Sequence, residues 1–208
     1  MISMTIVSVM LVIIFSAFRV GTRAWEKGEK DIIFRQRYRI VPELIRRQLT
    51  SVYLPDYSGK NNRPAGRFIY GDDSFLNFIS RKSLIPGSTS GMVRVLYRIS
   101  EEGNGEQSLS FYEKNIIALS DDINKDDIED DDWYTLIPRM KDCIFEYTGE
   151  TASAKGADSE IAWISTWEPK DKKRLPKAVR ILFQADENSK PIRIIVPVSK
   201  GSGDEKTS

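Results

Sequence analysis

The N-terminal part of the chain is an uninterrupted apolar run that changes abruptly to charged sequence. Residues 1–18 carry no charge and 14 of them are apolar, whereas charged positions begin at Arg19. At about 1.5 Å of helical rise per residue the run spans about 27 Å, so residues 20–24 are needed to cross a hydrocarbon core of about 30 Å. The pattern predicts a transmembrane helix over residues 1–24. A buried core helix is the alternative.

The next pattern has the period of an amphipathic helix. Between residues 25 and 54 apolar side chains recur at steps of three and four, and mostly arginines occupy the other side. This spacing predicts that the helix continues beyond the membrane and packs one face on a folded domain. Pro42 should bend or locally break it, because proline removes one backbone hydrogen bond. The predicted packing stripe consists of Phe34, Tyr38, Val41, Ile45, Leu49 and Val52.

After Pro55 the pattern becomes a series of short apolar runs separated by turn residues, which is typical of β-strands. Two pairs of runs read as hairpins, and the chain therefore predicts an α+β fold with a mostly antiparallel β domain over residues 55–198. Residues 199–208 form a polar tail that we expect to be disordered. The predicted strands are 67–70, 75–80, 92–99, 109–113, 141–147, 161–167, 179–184 and 192–198.

Composition excludes several kinds of site. The 208 residues contain 31 Lys and Arg, 30 Asp and Glu, one cysteine and no histidine. Without histidine there is no Ser-His-Asp triad and no histidine-ligated metal, and a single Cys143 forms neither an intrachain disulfide nor a cysteine zinc site. A net charge of +1 gives no reason to expect a nucleic-acid partner. The sequence predicts no catalytic residue, cofactor or resident metal, and hence a protein that is not an enzyme.

An acidic segment over residues 121–132 is the first motif that could form a binding site, in this case for a cation. It carries eight acidic residues, and Asp122, Asn124 and Asp126 match the opening of a calcium loop. However, Asp127 stands where the sharp turn needs glycine, and the bidentate glutamate is also missing. A solvated acidic loop is the favoured interpretation, and cation binding there stays open.

A basic and aromatic grouping is the second motif. Residues 170–174 (KDKKR) follow Trp163 and Trp167. A surface loop between two strands explains them best, although exposed tryptophans would also suit a signal-anchored periplasmic domain that binds a ligand or polysaccharide. Alternation places Cys143 on one face of a strand, where a small buried hydrophobe is expected.

The layout and several blocks together resemble the type IV pilin-like proteins, and in particular the J-type minor pseudopilins of type II secretion systems. The N-terminal run is similar to the start of their long helix. The segment VRVLYRI followed by LSFYE is similar to their central hairpin, and WYTLIPRMKDCIFEY is similar to a leucine-rich turn that leads into a strand. The order WISTWEP then LPKAVRILFQ is the most specific match. The motif residues are Phe78, Arg81, Trp163, Trp167, Leu175, Pro176, Ala178 and Val179.

One departure from the family is large. Its members begin with a basic leader and a Gly-Phe-Thr-x-x-Glu stretch that is cleaved and methylated, and neither precedes Met1. The basic residues that flank the apolar run, beginning with Arg19 and Arg23, would by the positive-inside rule keep the domain in the cytoplasm. An upstream basic leader would reverse this orientation. We therefore expect the true start of the protein to lie upstream of Met1.

The resemblance implies a pilin-like fold and a structural role. The protein would be a single-pass inner-membrane protein whose β domain lies in the periplasm. It would join the I-type and K-type minor pseudopilins at the tip of the pseudopilus, help to initiate its assembly and contact secreted substrates. A minor pilin of a type IV pilus is the alternative within the same fold. In either case the side chains for membrane insertion and filament packing would include Ile2, Ile6, Val9, Ile13 and Phe15.

Overall fold

The computed structural model describes residues 2–53, 69–85, 91–116, 128–149, 162–168 and 175–198 of the chain. They belong to two compact units, Met1–Ile40 and Val41–Ser208. A long N-terminal helix is followed by a mostly antiparallel β domain, so the predicted α+β class is confirmed. The basic run at 170–174, the tail at 199–208 and residues 121–127 of the acidic segment lie outside the described residues.

Helix α1 (Ile2–Leu49) has 48 residues and includes Pro42, so the predicted local break does not occur. One proline removes only one backbone donor, and the hydrogen bonds of the neighbouring turns can hold the helix through that position. Arg46 and Arg47 lie in the last turn, where positive charge is favourable, and both approach Glu43 at 3.6 and 3.3 Å. The helix ends at Leu49, five residues before the predicted limit at residue 54.

The β domain contains two antiparallel sheets in which consecutive strands are neighbours. A five-stranded sheet has the order β1-β2-β3-β4-β5, and a three-stranded sheet has the order β6-β7-β8. The strands are β1 (Ile69–Gly71), β2 (Phe75–Ser80), β3 (Val93–Glu101), β4 (Gln107–Asn115), β5 (Tyr134–Met140), β6 (Asp142–Thr148), β7 (Ala178–Gln184) and β8 (Ile192–Pro197), and a 3-10 turn (Asp130–Asp132) precedes β5.

Both predicted hairpins are present, as β3 with β4 and β7 with β8. The first closes through Gly105, whose φ of 80° is readily adopted by glycine. Strand β5 replaces the predicted leucine-rich turn. Its Pro138 is tolerated because the strand lies at the sheet edge. The strand predicted over 161–167 is wrong, since its described residues form only isolated bridges at Ile164 and Trp167.

The five-stranded sheet carries apolar side chains on both faces. On one face Tyr97 lies between Phe78 and Phe111, with ring centroids 6.1 and 6.3 Å away. Alternation along the strands puts Phe75 and Leu96 on the opposite face, where they form a buried cluster with Trp133. Both faces are therefore covered, which explains why every residue of β2 is buried.

The two sheets meet at Gly71, the last residue of β1. The Tyr147 hydroxyl on β6 donates hydrogen bonds to the carbonyls of Asp72 and Phe75 at 3.0 and 3.1 Å. A Cβ at position 71 would overlap the Phe75 carbonyl oxygen and the Tyr147 hydroxyl. Only glycine allows the strand and the tyrosine to approach this closely.

We expect Gly71→Ala to lower the free energy of unfolding by about 1–3 kcal/mol or more, since the added methyl must displace backbone and a buried tyrosine. Urea unfolding of the full chain in detergent micelles, followed by tryptophan fluorescence, measures the change. Gly103→Ala is the matched control, because a Cβ there meets no atom within 4 Å. Equal effects of the two substitutions would contradict this interpretation of the junction.

Candidate assembly site

The N-terminal half of α1 exposes apolar side chains on every side. Among the described residues, Ile2–Trp25 form a helical stretch of 24 residues that is long and apolar enough to cross a membrane. None of its most apolar part is buried, and the mean hydropathy there is 2.1. A helix that is apolar all round is suited to lipid or to packing inside an assembly. The five predicted side chains are all exposed: Ile2, Ile6, Val9, Ile13 and Phe15.

The hydroxyl groups within this stretch are satisfied by the helix itself. Thr5 donates to the Ile2 carbonyl at 2.6 Å, and Ser8 donates to the Met4 carbonyl at 2.9 Å. In hydrocarbon an unpaired hydroxyl is costly, and bonds to preceding carbonyls remove that cost. These polar side chains are therefore compatible with an apolar surrounding.

Within the first unit, α1 also carries an exposed apolar row that the sequence analysis did not single out. The side chains of this row are seven, seven and eight residues apart, so their direction around the helix axis changes only slowly along the row. At about 100° per residue, the row points away from the side that carries Tyr38, which is 7% exposed. The signal that could have found it was this seven-residue spacing. We call it the exposed row: Phe18, Trp25, Ile32 and Ile40, with 69%, 77%, 67% and 46% of their surface exposed.

The predicted packing stripe is largely buried. Phe34 is half-buried and its ring meets Tyr38 edge-on at 4.8 Å. In the second unit Val41, Ile45 and Leu49 are buried, with Ile45 fully so. Val52 follows the helix and is buried where it bridges Ser80 at the end of β2.

A polar clamp fixes the end of α1 to the five-stranded sheet. Gln48 is fully buried, and its side-chain amide donates to Glu113 at 3.0 Å and to the Lys82 carbonyl at 3.3 Å. The Tyr97 hydroxyl donates to the amide oxygen of Gln48, and Ser80 donates to its backbone carbonyl at 3.1 Å. The sequence analysis missed this contact, because Gln48 lies beside apolar positions without belonging to their pattern.

Burial at the clamp also determines the protonation state of the Tyr97 phenol. The pKa of Tyr97 is raised well above its usual value, first by burial and second by the charge of Glu113. The phenol therefore stays neutral and available as a hydrogen-bond donor. Glu113 in turn accepts bonds from the Ser83 hydroxyl and from the Leu84 amide, the latter at 2.9 Å.

The first tryptophan motif closes the edges of both sheets. We call residues 162–168 the clasp. Ile164 exchanges two backbone hydrogen bonds with Tyr147 on β6, at 2.8 and 2.9 Å. Three residues later, Trp167 exchanges two with Gly71 on β1, at 2.8 and 3.1 Å. The clasp thus joins the two sheets through main-chain contacts.

Trp163 packs on the outer face of the three-stranded sheet. The Arg180 guanidinium lies 4.3 Å from its ring centroid and forms an ion pair with Glu146 at 2.6 Å. Both charged side chains are largely buried, at 17% and 18% exposure. Trp163 is itself half-buried, so it supports this ion pair instead of standing free as a ligand platform.

The second part of the motif leads into β7. Leu175 is half-buried, Pro176 is buried and Ala178 begins the strand. Lys177 between them donates its amide to the Thr148 carbonyl at 2.7 Å, which starts the pairing with β6. Val179 is fully buried between Tyr147 and Val196 on the neighbouring strands.

Phe78 and Arg81 lie close together in the chain but have different surroundings. Phe78 is fully buried in β2. Arg81 is exposed, donates its amide to the Ser51 carbonyl at 2.8 Å, and holds its guanidinium 5.4 Å from the Tyr53 ring centroid. Arg81 therefore supports the segment in which the chain leaves α1, whereas Phe78 packs against Tyr97 within the sheet.

The described part of the acidic segment pairs with the sheet. Asp130, in the 3-10 turn, accepts a hydrogen bond from Arg98 at 3.0 Å, and the Arg98 guanidinium lies 4.3 Å from the Trp133 ring centroid. Among the described residues there is no group of three acidic or cysteine side chains that could hold a metal ion. Cys143 is buried, and burial raises the pKa of its thiol.

Comparison with protein-family models and with curated proteins gives no match to this chain. The resemblance to the J-type pseudopilins therefore depends on the ordered sequence blocks alone. In the structure, five of these motif residues are either buried or make backbone hydrogen bonds at the helix exit or the clasp. They are Phe78, Arg81, Trp167, Pro176 and Val179.

Replacing the central residue of the clamp should destabilise the domain. We expect Gln48→Ala to lower the free energy of unfolding by about 1–3 kcal/mol, because it leaves the buried Tyr97 hydroxyl without its acceptor. Urea unfolding of the full chain in micelles measures this. Gln36→Ala, at an exposed position of the same helix, should change stability little. Indistinguishable results for the two variants would argue against a clamp.

Stability should also fall at alkaline pH. Burial raises the pKa of Tyr97, Tyr147 and Cys143, so the folded protein holds these protons more tightly than the unfolded chain. Their contribution is complete below the unfolded pKa, about 8.5 for cysteine and about 10 for tyrosine, and is lost as the pH rises toward the folded pKa. Above about pH 10 each of the two buried tyrosines should lower the free energy of unfolding by about 1.4 kcal/mol per pH unit.

Urea unfolding at several pH values between 8 and 11 tests this expectation. Tyr147→Phe removes one titrating group and should make the decline above pH 10 less steep, whereas Tyr134→Phe, at a residue that is 55% exposed, should leave it unchanged. A parent protein whose stability does not decline over this range would show that these groups titrate alike in both states.

Proposed function

We propose that this protein is a J-type minor pseudopilin of a type II secretion system. It is a structural subunit, anchored in the inner membrane with its β domain in the periplasm. The observation that carries the proposal is the continuity of α1, since an apolar membrane-length stretch and the buried end at the clamp belong to one helix. The order of the sequence blocks is the reason for proposing this particular family.

The proposed mechanism is an exchange of partners by the apolar half of α1. In the membrane its side chains contact lipid tails, and in the pseudopilus they contact the helices of other subunits. Because lipid tails are as apolar as the side chains, close packing must drive this transfer. The internally bonded Thr5 and Ser8 hydroxyls support it, since neither environment has to supply a partner.

The exposed row would extend the same contact beyond the membrane. Ile32 and Ile40 are apolar and exposed in the charged part of α1, where water would favour polar residues. Contact with the I-type and K-type subunits would bury them. The packing stripe is less suited to this role, because Val41, Ile45 and Leu49 are already buried within the chain.

Co-purification tests the proposal. We expect the full chain, co-expressed with the I-type and K-type pseudopilins of the same system and extracted in mild detergent, to retain both partners. Ile32→Asp with Ile40→Asp should reduce their recovery about tenfold or more, because charge would be placed in an apolar contact. The yield and melting temperature of the variant report its folding.

Ile192→Asp with Ile195→Asp is the matched control, since these isoleucines of β8 are 43% and 50% exposed but lie on the sheet. This control should keep both partners. A parent chain that retains neither partner would count against the pseudopilin assignment, and equal losses in the two double variants would count against the exposed row as the contact.

A further inference from the structure

Two arginines and a tryptophan lie where the apolar part of α1 ends. The uncharged stretch stops at Phe18, and Arg19, Arg23 and Trp25 follow within two helical turns. All three side chains are exposed, Trp25 by 77%. The first acidic residue of the sequence is Glu26, so this short segment is purely basic.

The depth of these residues follows from helix geometry. The run up to Phe18 carries no charge, and a charged side chain is costly inside hydrocarbon, so the hydrocarbon edge lies close to Arg19. Arg23 and Trp25 then lie about 6 and 9 Å further along the helix axis, toward the headgroups. That distance corresponds to the headgroup layer, where tryptophan is typically found.

The two arginines also share one side of the helix. A spacing of four residues separates their directions by only about 40°, and Trp25 points to the other side. Guanidinium groups bind phosphate oxygens through paired hydrogen bonds, and basic residues near a membrane surface favour anionic lipids. The charge, the depth and the direction of the two arginines thus all favour anionic lipid headgroups as the partner.

We propose that Arg19 and Arg23 bind the headgroup phosphates of anionic phospholipids and select them over zwitterionic ones. The proposal depends on the proposed membrane anchor but not on the pseudopilin assignment. Each arginine should contribute about fivefold in preference for an anionic lipid. The interaction would hold the segment at the surface of the bilayer on the side of the β domain.

Quenching of Trp25 fluorescence by brominated lipids tests this inference. The full chain is reconstituted in vesicles that contain phosphatidylcholine and phosphatidylglycerol, with bromine at the same acyl position of one lipid or the other. A Trp25→Phe variant supplies the signal of the other three tryptophans for subtraction. The ratio of the two quenching curves gives the relative association of the anionic lipid.

We expect this ratio to be about 25, because two fivefold preferences multiply, and to fall close to one in Arg19→Gln with Arg23→Gln. Arg46→Gln with Arg47→Gln makes the same charge change about 40 Å along the helix, and it should keep the ratio of the parent. A parent ratio of one, or equal ratios in both double variants, would overturn the proposal. Absence of quenching by either lipid would overturn the anchor as well.

Discussion

The attachment of α1 to the five-stranded sheet through Gln48 is the contact on which the second unit depends. A buried amide can both donate and accept, so one side chain satisfies the Tyr97 phenol and the Glu113 carboxylate together. Apolar packing by Ile45 and Leu49 excludes water from this region, and the polar bonds then fix how the helix end meets the strands.

The clasp and Tyr147 join the two sheets, which share no strand. The sheets have separate ladders, and the contacts that join them include backbone bonds from Ile164 and Trp167 and the hydroxyl of Tyr147. Trp167 bonds to Gly71 itself, and the Tyr147 hydroxyl lies beside the same glycine. The absence of a side chain at that glycine is thus a condition for the relative placement of the sheets.

A structural role fits the distribution of unusual features. The half-buried charges of Arg180 and Glu146 are paired with each other, and the raised pKa values of Tyr97 and Tyr147 keep both phenols as neutral hydrogen-bond donors. Much of the exposed apolar surface lies on α1, first on all sides and then as a narrow row. An exposed apolar patch of this extent is typical of a surface that associates with a membrane or another protein.

Side-chain periodicity along the chain is enough to predict the helix, its apolar and amphipathic halves and most strands, because it reports directly on helical and extended structure. It does not reveal β5, whose polar edge position hides the alternation, and it wrongly predicts a strand at the clasp because Trp and Ile also favour strands. The partners of Gln48, Gly71 and Trp163 became visible in the folded structure alone. Their contacts join residues far apart in the chain, and local pattern carries no information about such pairs.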